Sequence, residues 1–213
     1  MKKAAAKAWE KRIENVGQTC TSNKRIIVMS DIYEEFVEEM VRIAESFTKG
    51  NPMEPGENEY YPMSSRQAAE NLDEQVQRAV AAGANLRTGG ELHENGAYFT
   101  PAVLTDVPVG SDSYYEEFFG PVAEIYSVDS EQEAIELANN SNYGLGGAVF
   151  SQDEERAKKV AEKIDTGMIH VNLGQASSPA LPFGGIKNSG FGRELSTLAM
   201  DEFVNKQTFY VND

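Results

Sequence analysis

Soft metal ligands are nearly missing from this chain: one cysteine, Cys20, and two histidines, His93 and His170, among 213 residues. A single thiol excludes an internal disulfide and any cysteine-rich zinc site, and no metal centre is expected. No apolar run approaches the roughly 18 residues that a transmembrane helix requires, so no membrane partner is expected. Basic residues are scarce: 19 Lys and Arg stand against 34 Asp and Glu, a formal charge of −15. A chain this acidic is ill suited to a phosphate backbone, and no nucleic-acid partner is expected. An export signal is lacking as well. The opening MKKAAAKAWEKR has two lysines, but Lys7, Glu10, Lys11 and Arg12 interrupt any apolar core and leave a surface helix. Cytoplasm is the expected location.

What remains is a soluble globular balance, 40% hydrophobic and 25% charged, long enough to bury a core of its own. Apolar β-rich runs alternate with helical periodicity. Residues 2–15 read as a helix and 24–30 (KRIIVMS) as a buried strand. Asp31 and Glu34 form a capping box before Phe36, Val37, Met40, Val41 and Ala44 at helical spacing. Residues 50–62 are a loop by Gly/Pro punctuation. Ser64 and Gln67 form a second capping box, for a helix to about Ala82 that ends at Gly83. Short strands follow over 85–107, around a turn at Glu94–Gly96. Strands at 122–128, 145–150 and 168–171 alternate with helices capped by Ser130 with Glu133 and by Ser151 with Glu154. Residues 172–192 are a long Gly/Ser/Pro-rich loop, and 202–211 reads as a final strand. The alternation implies an α/β fold: three layers, α/β/α, with a mostly parallel sheet covered on both faces. Sites in such sheets sit at the carboxyl ends of strands. The irregular stretches 15–22, 114–121 and 172–192 are therefore the candidates.

Each carries residues suited to chemistry. In Gly17-Gln18-Thr19-Cys20 the thiol follows a glycine and polar residues and precedes the basic pair Lys24-Arg25. Such a turn supplies the access and backbone N–H groups that thiolate chemistry needs, although a lone cysteine is more often a small packed side chain. In Glu116-Glu117-Phe118-Phe119-Gly120-Pro121 a carboxylate can accept from ribose hydroxyls and an aromatic can stack on a flat ring; acidic pairs are ordinarily a solvated face. In 182–194 (PFGGIKNSGFGRE) four glycines in nine residues point to close backbone approach. The stretch has neither the Lys-Ser/Thr of a P-loop nor the strand–GxGxxG–helix setting of a dinucleotide fingerprint. A packing loop and a wall of a substrate gorge are the two readings.

Taken together and in order, GQTC (17–20), EEFFGP (116–121), SNYGLGGAVF (141–150) and PFGGIKNSGFGRE (182–194) resemble the C-terminal, catalytic half of the aldehyde dehydrogenase superfamily. The resemblance runs over about residues 2–211 and is nearest to bacterial succinate-semialdehyde dehydrogenase-like enzymes. It implies an oxidoreductase in which Cys20 attacks the aldehyde carbon, a thiohemiacetal passes hydride to NAD or NADP, and water hydrolyses the thioester. The Cys20 N–H would form part of an oxyanion hole. Glu117 would bind the nicotinamide-side ribose and Phe119 would flank the nicotinamide. Ser177 and Ser178 would touch the substrate tail, with Phe183 near the substrate mouth. Gln67 stands where some relatives contact ribose.

The resemblance also implies what to look for elsewhere. Family members are about twice this length. The cofactor-binding domain, the general-base glutamate and the oxyanion-hole asparagine belong to their first half. The expected organisation is a catalytic domain over 1–200 and a C-terminal oligomerisation strand over 201–213, with the cofactor domain outside this chain and a homo-oligomer as the assembly. Glu14 occupies the position six before the nucleophile, where relatives selective for succinate semialdehyde often carry an arginine. Thr21 and Ser22 follow Cys20, without a second cysteine, and YYPM stands at 60–63 where Gly-Pro is commoner. The rival readings are a non-enzymatic remnant acting through its sheet edge and a cofactor-free thiol esterase.

Overall fold

The computed structural model describes residues 1–174 and 177–212. Helix α1 (Lys2–Ile13) buries Ala5, Ala8, Trp9 and Arg12, one stripe at helical spacing. Strand β1 (Arg25–Met29) leads to α2 (Tyr33–Glu45), which buries Phe36, Val37, Met40 and Ala44. Two short strands, β2 (Thr48–Lys49) and β3 (Glu59–Tyr60), pair with each other before α3 (Arg66–Ala81). There follow β4 (Asn85–Thr88), β5 (Ala102–Thr105), the single turn α4 (Asp112–Tyr115), β6 (Val122–Val128) and α5 (Glu131–Asn139). The remainder holds β7 (Tyr143–Gly144), β8 (Gly146–Val149), α6 (Glu154–Ala161), β9 (Met168–Val171) and β10 (Ile186–Lys187).

The main sheet has the order β1-β6-β5-β4, parallel except for the antiparallel edge β4, while β8 and β9 form a separate parallel pair. Strand alternation sorts its side chains cleanly. Val103, Ala123 and Ile125 pack with α1 and α2; Ala102, Leu104, Val122 and Tyr126 pack with Ala69, Leu72, Val76 and Ala79 of α3. This is the expected α/β/α arrangement with a mostly parallel sheet. Among the described residues no helix is long and apolar enough to cross a membrane.

Several expectations need correcting. Helix α2 is not opened by an Asp31 box: Ser30–Ile32 is a tight 3-10 turn, so Asp31 never takes the extended conformation that a cap requires, and the flanking Ile32 offers no side-chain bond. Helix α3 is capped by Ser65, which accepts from Ala68 N, and the Ser64 N–H that a box would give to Gln67 goes to Gln18 Oε1 at 2.8 Å. Asp153 rather than Ser151 caps α6; Ser151 Oγ accepts from the Asp153 N–H instead. Ser130 caps α5 as expected, accepting from Glu133 N, while the Glu133 carboxylate reaches back to the Asp129 N–H rather than to that of Ser130. Residues 203–212 form no strand: a ladder needs a partner, and this segment is exposed and bonded to none of the ten strands.

One charge lies deep in the main sheet. Glu124 on β6 is 1% exposed and accepts a hydrogen bond from the Tyr126 hydroxyl at 2.6 Å. Burial pushes its carboxyl up from 4.5 to about 7, against the pull of the Tyr126 bond and of Arg25, Arg12 and Lys24. A carboxyl raised in the folded state contributes stability that is full below about pH 4.5 and lost as pH rises through about 7. Glu124→Gln is therefore expected to be more stable than the parent chain at pH 8 by roughly 3 kcal/mol, and nearly equal to it at pH 4. Urea unfolding followed through the fluorescence of Trp9 checks this; a Gln variant less stable at pH 8 contradicts it.

Candidate active site

Cys20 stands at the end of a turn whose backbone is held under strain. Asn15, Val16 and Gly17 have φ of 50°, 58° and 72°, three successive left-handed residues. A β-branched residue is rarely found there, and such strain costs on the order of 1–3 kcal/mol per non-glycine residue. The surroundings impose it. Val16 is buried in the cluster that contains Leu72 and Phe118. Gly17 lies so close to the Gly120 carbonyl that an added Cβ would overlap it, and would also meet Arg12 Nη2. The Gln18 carboxamide spans from the Asn15 carbonyl to the Ser64 N–H.

The strongest restraint is Arg12. This side chain is fully buried; Nη2 donates to the Gly17 carbonyl at 2.6 Å and Nη1 to the Asn23 carbonyl at 2.8 Å. The two bonds span the segment that carries Cys20. Desolvation lowers the guanidinium to about 10, with Glu124 and Glu117 opposing that shift, so it stays charged at neutral pH. The thiol at the end of the turn is exposed. Among the described residues nothing accepts from the Cys20 N–H, which leaves that donor free for an anionic oxygen.

The 116–121 loop packs behind this turn. Glu116 pairs with Arg78 at 2.9 Å, Phe118 is fully buried, and Phe119 is 42% exposed. Glu117 pairs through Oε1 with Lys24, whose ammonium also lies 5.8 Å from the Phe119 ring centre; the second carboxylate oxygen accepts nothing among the described residues. Phe119, Gln18, Asn71, Gln75 and Arg78 line one groove of about 400 Å³. A second groove, of about 680 Å³, is lined by Cys20, Lys7, Lys11, Glu14, Ser177 and Phe183. The cysteine turn thus borders both: Gln18 faces the first and Cys20 the second.

Of the expected site residues, the structure brings Cys20, Ser177 and Phe183 into one groove and places Phe119 in the other, with Glu117 at Lys24 beside it. Ser178 is not among the groove residues; its hydroxyl accepts from Ala180 N at 3.4 Å within its own loop. Gln67 bonds Asn71 at 2.9 Å. The glycine-rich loop serves both readings. An added Cβ on Gly167 or Gly184 would strike neighbouring backbone, while Phe183, fixed by reciprocal backbone bonds to Glu194, faces the groove. The location differs from expectation. The 15–22 and 114–121 stretches lead into β1 and β6, so they sit at the amino ends of those strands; only the 172–192 stretch leaves the carboxyl end of a strand, β9. What gathers them is the Gly17–Gly120 approach and the Arg12 clamp. Arg12 lies outside the expected site residues. Its signal was its place on the buried stripe of α1 with Ala5, Ala8 and Trp9.

Removing the clamp leaves two inward-facing carbonyls without donors. Arg12→Met is expected to cost roughly 2–5 kcal/mol of stability, with Arg12→Lys intermediate because an ammonium lacks the fork that reaches both carbonyls. Urea midpoints read from Trp9 fluorescence decide it; a loss under about 1 kcal/mol for Arg12→Met would mean the two bonds do not hold the turn.

A model of the aldehyde dehydrogenase family matches residues 1–209. The succinate-semialdehyde dehydrogenase [NADP(+)] of Deinococcus radiodurans is 49% identical over 197 residues, 92% of this chain and 41% of that protein. The crystal structure of succinic semialdehyde dehydrogenase from Streptococcus pyogenes in complex with NADP+ superposes with a TM-score of 0.92 at 45% identity, covering 99% of this chain and 46% of that one. An aldehyde dehydrogenase from Physcomitrella patens in complex with the reaction product succinate gives a TM-score of 0.86 at 32% identity, covering 95% and 42%. The chain spans less than half the length of these relatives. With its fold, its four sequence blocks and the family match over nearly its whole length, the chain belongs to the aldehyde dehydrogenase family.

Proposed function

We propose that this chain supplies the nucleophile-bearing part of an NADP-dependent aldehyde dehydrogenase of the succinate-semialdehyde type. The observation that carries the reading is the position of one strained turn beside two grooves. Cys20 opens onto the groove with Ser177 and Phe183, and Gln18 of the same turn opens onto the groove with Phe119. The same turn would thus serve a substrate at Cys20 and a cofactor held at Phe119. NADP, when bound, accepts the hydride.

The residues present fit the nicotinamide end of that cofactor. Phe119 offers an exposed aromatic face, and Glu117 keeps one carboxylate oxygen free to accept from ribose hydroxyls while Lys24 holds the other. On the substrate side, the Cys20 sulfur as thiolate forms a bond to the aldehyde carbon. The carbonyl electrons move to oxygen, where the Cys20 N–H can donate to the charge that develops. Departure of hydride restores the carbonyl as a thioester on Cys20. Water then adds to that thioester, breaks the carbon–sulfur bond, and releases a carboxylic acid and the thiol. The relatives named for succinate semialdehyde, and the structure containing succinate, support a substrate with a second, anionic end.

Cys20 is the only thiol, so its chemistry can be followed without interference. An activated ester such as p-nitrophenyl acetate should acylate it in the 213-residue chain, on the order of tenfold or more faster than in the urea-unfolded chain. Peptide mass mapping should find the acetyl group on Cys20, and Cys20→Ala should not release the p-nitrophenolate burst. Acylation spread over lysines, or equal rates folded and unfolded, would overturn the nucleophile assignment.

A further inference from the structure

The groove at Cys20 has a charge pattern that its sequence position alone does not explain. Glu14 stands six residues before the thiol, where a carboxylate would repel an anionic substrate. Its charge is answered within the groove: Lys11 Nζ binds Glu14 Oε2 at 2.9 Å. The two lie three apart on the chain as α1 ends, and together they contribute almost no net field.

Lys7 is different. It lies one helical turn before Lys11, so both side chains project from the same face of α1 into the groove. Its ammonium has no carboxylate partner among the described residues. Among the described residues its one hydrogen bond is to the Asn172 carbonyl at 3.3 Å, where the chain leaves β9. An ammonium has three donors, and two of them meet no acceptor among the described residues. Lys7 is also half-buried, and partial removal from water strengthens its field. Glu10 is the remaining charge of the groove; it is exposed and more fully screened by solvent. The exposed Ser177, which lines the same groove, offers a hydroxyl. At about 680 Å³ the groove falls within the usual range of ligand clefts.

We propose that Lys7 holds the anionic end of the aldehyde whose carbonyl carbon meets Cys20, so that this side chain selects substrates with a carboxylate at the far end. The assignment rests on Cys20 being the nucleophile. Lys7 then provides the attraction that Glu14, neutralised by Lys11, cannot.

The test compares two thiol reagents of similar size on the 213-residue chain, anionic iodoacetate and neutral iodoacetamide, each with and without succinate. In the parent chain succinate should slow alkylation of Cys20 in a saturable way. Lys7→Gln should lower the iodoacetate-to-iodoacetamide rate ratio on the order of 3–10-fold and abolish protection by succinate, and Lys7→Arg should restore both. Glu10→Gln should raise the ratio and keep the protection. The proposal is overturned if Lys7→Gln leaves ratio and protection unchanged, or if Lys3→Gln, an exposed lysine one turn earlier, changes them as much. Failure of the underlying reading is visible separately: iodoacetamide would then modify the folded and unfolded chains at the same rate, and the proposal would fall with it. Circular dichroism of each variant confirms that the helix is intact.

Discussion

The candidate site depends on one buried cation. Arg12 lies on the apolar stripe of α1, fully out of solvent, and its guanidinium fork reaches the carbonyls of Gly17 and Asn23. Only a planar, two-pronged donor can span both ends of a short segment from one helix position. Burying that charge is costly, and its Nε has no partner among the described residues. The two charge-assisted bonds and the field of Glu124 and Glu117 offset the cost. The same bonds hold Asn15, Val16 and Gly17 in left-handed conformations that the sequence would not choose, and so fix the direction in which Cys20 leaves the core.

This arrangement couples the fold to the chemistry through charge as well as shape. Glu124 and Tyr126 lie on β6, and Lys24 stands just before β1, the strand paired with it. Lys24 in turn holds Glu117, which positions the loop bearing Phe119. Arg25, next along β1, donates to the carbonyls of Leu137, Ala138 and Asn140 at the end of α5 and satisfies groups that a helix terminus leaves open. The main sheet is therefore joined at its amino edge by cations that each serve a structural partner. Lys7, whose one bond among the described residues is to a carbonyl, stands apart from that pattern.

Much of this was legible in the residues. The limits of β6, the Ser130 cap and the end of α3 at Gly83 follow from period and capping chemistry. The four sequence blocks indicated the family. Other features were not legible, for identifiable reasons. The bond from the Ser64 N–H to Gln18, 46 residues earlier, leaves no trace in the local spacing around α3. A strand over 202–211 needs a partner outside this chain. An arginine on a helix is ordinarily solvated, and only its phase with Ala5, Ala8 and Trp9 distinguishes Arg12. The amino-end location of the 15–22 and 114–121 loops follows from their places before the strands at 24–30 and 122–128, but that Gly17 and Gly120 meet there could not be read from strand order.

That contact offers the most direct test, because glycine is required there both by its positive φ and by the Gly120 carbonyl. Gly17→Ala leaves the thiol, the lysines and Arg12 in the sequence and changes only the geometry of the turn. If the clamped turn is what presents Cys20, acyl transfer from p-nitrophenyl acetate to Cys20 should fall on the order of 10²-fold, the scale of an ångström-sized misplacement. Far-UV circular dichroism and a cooperative unfolding transition should be retained. A folded Gly17→Ala chain that acylates Cys20 at the parent rate would contradict the account.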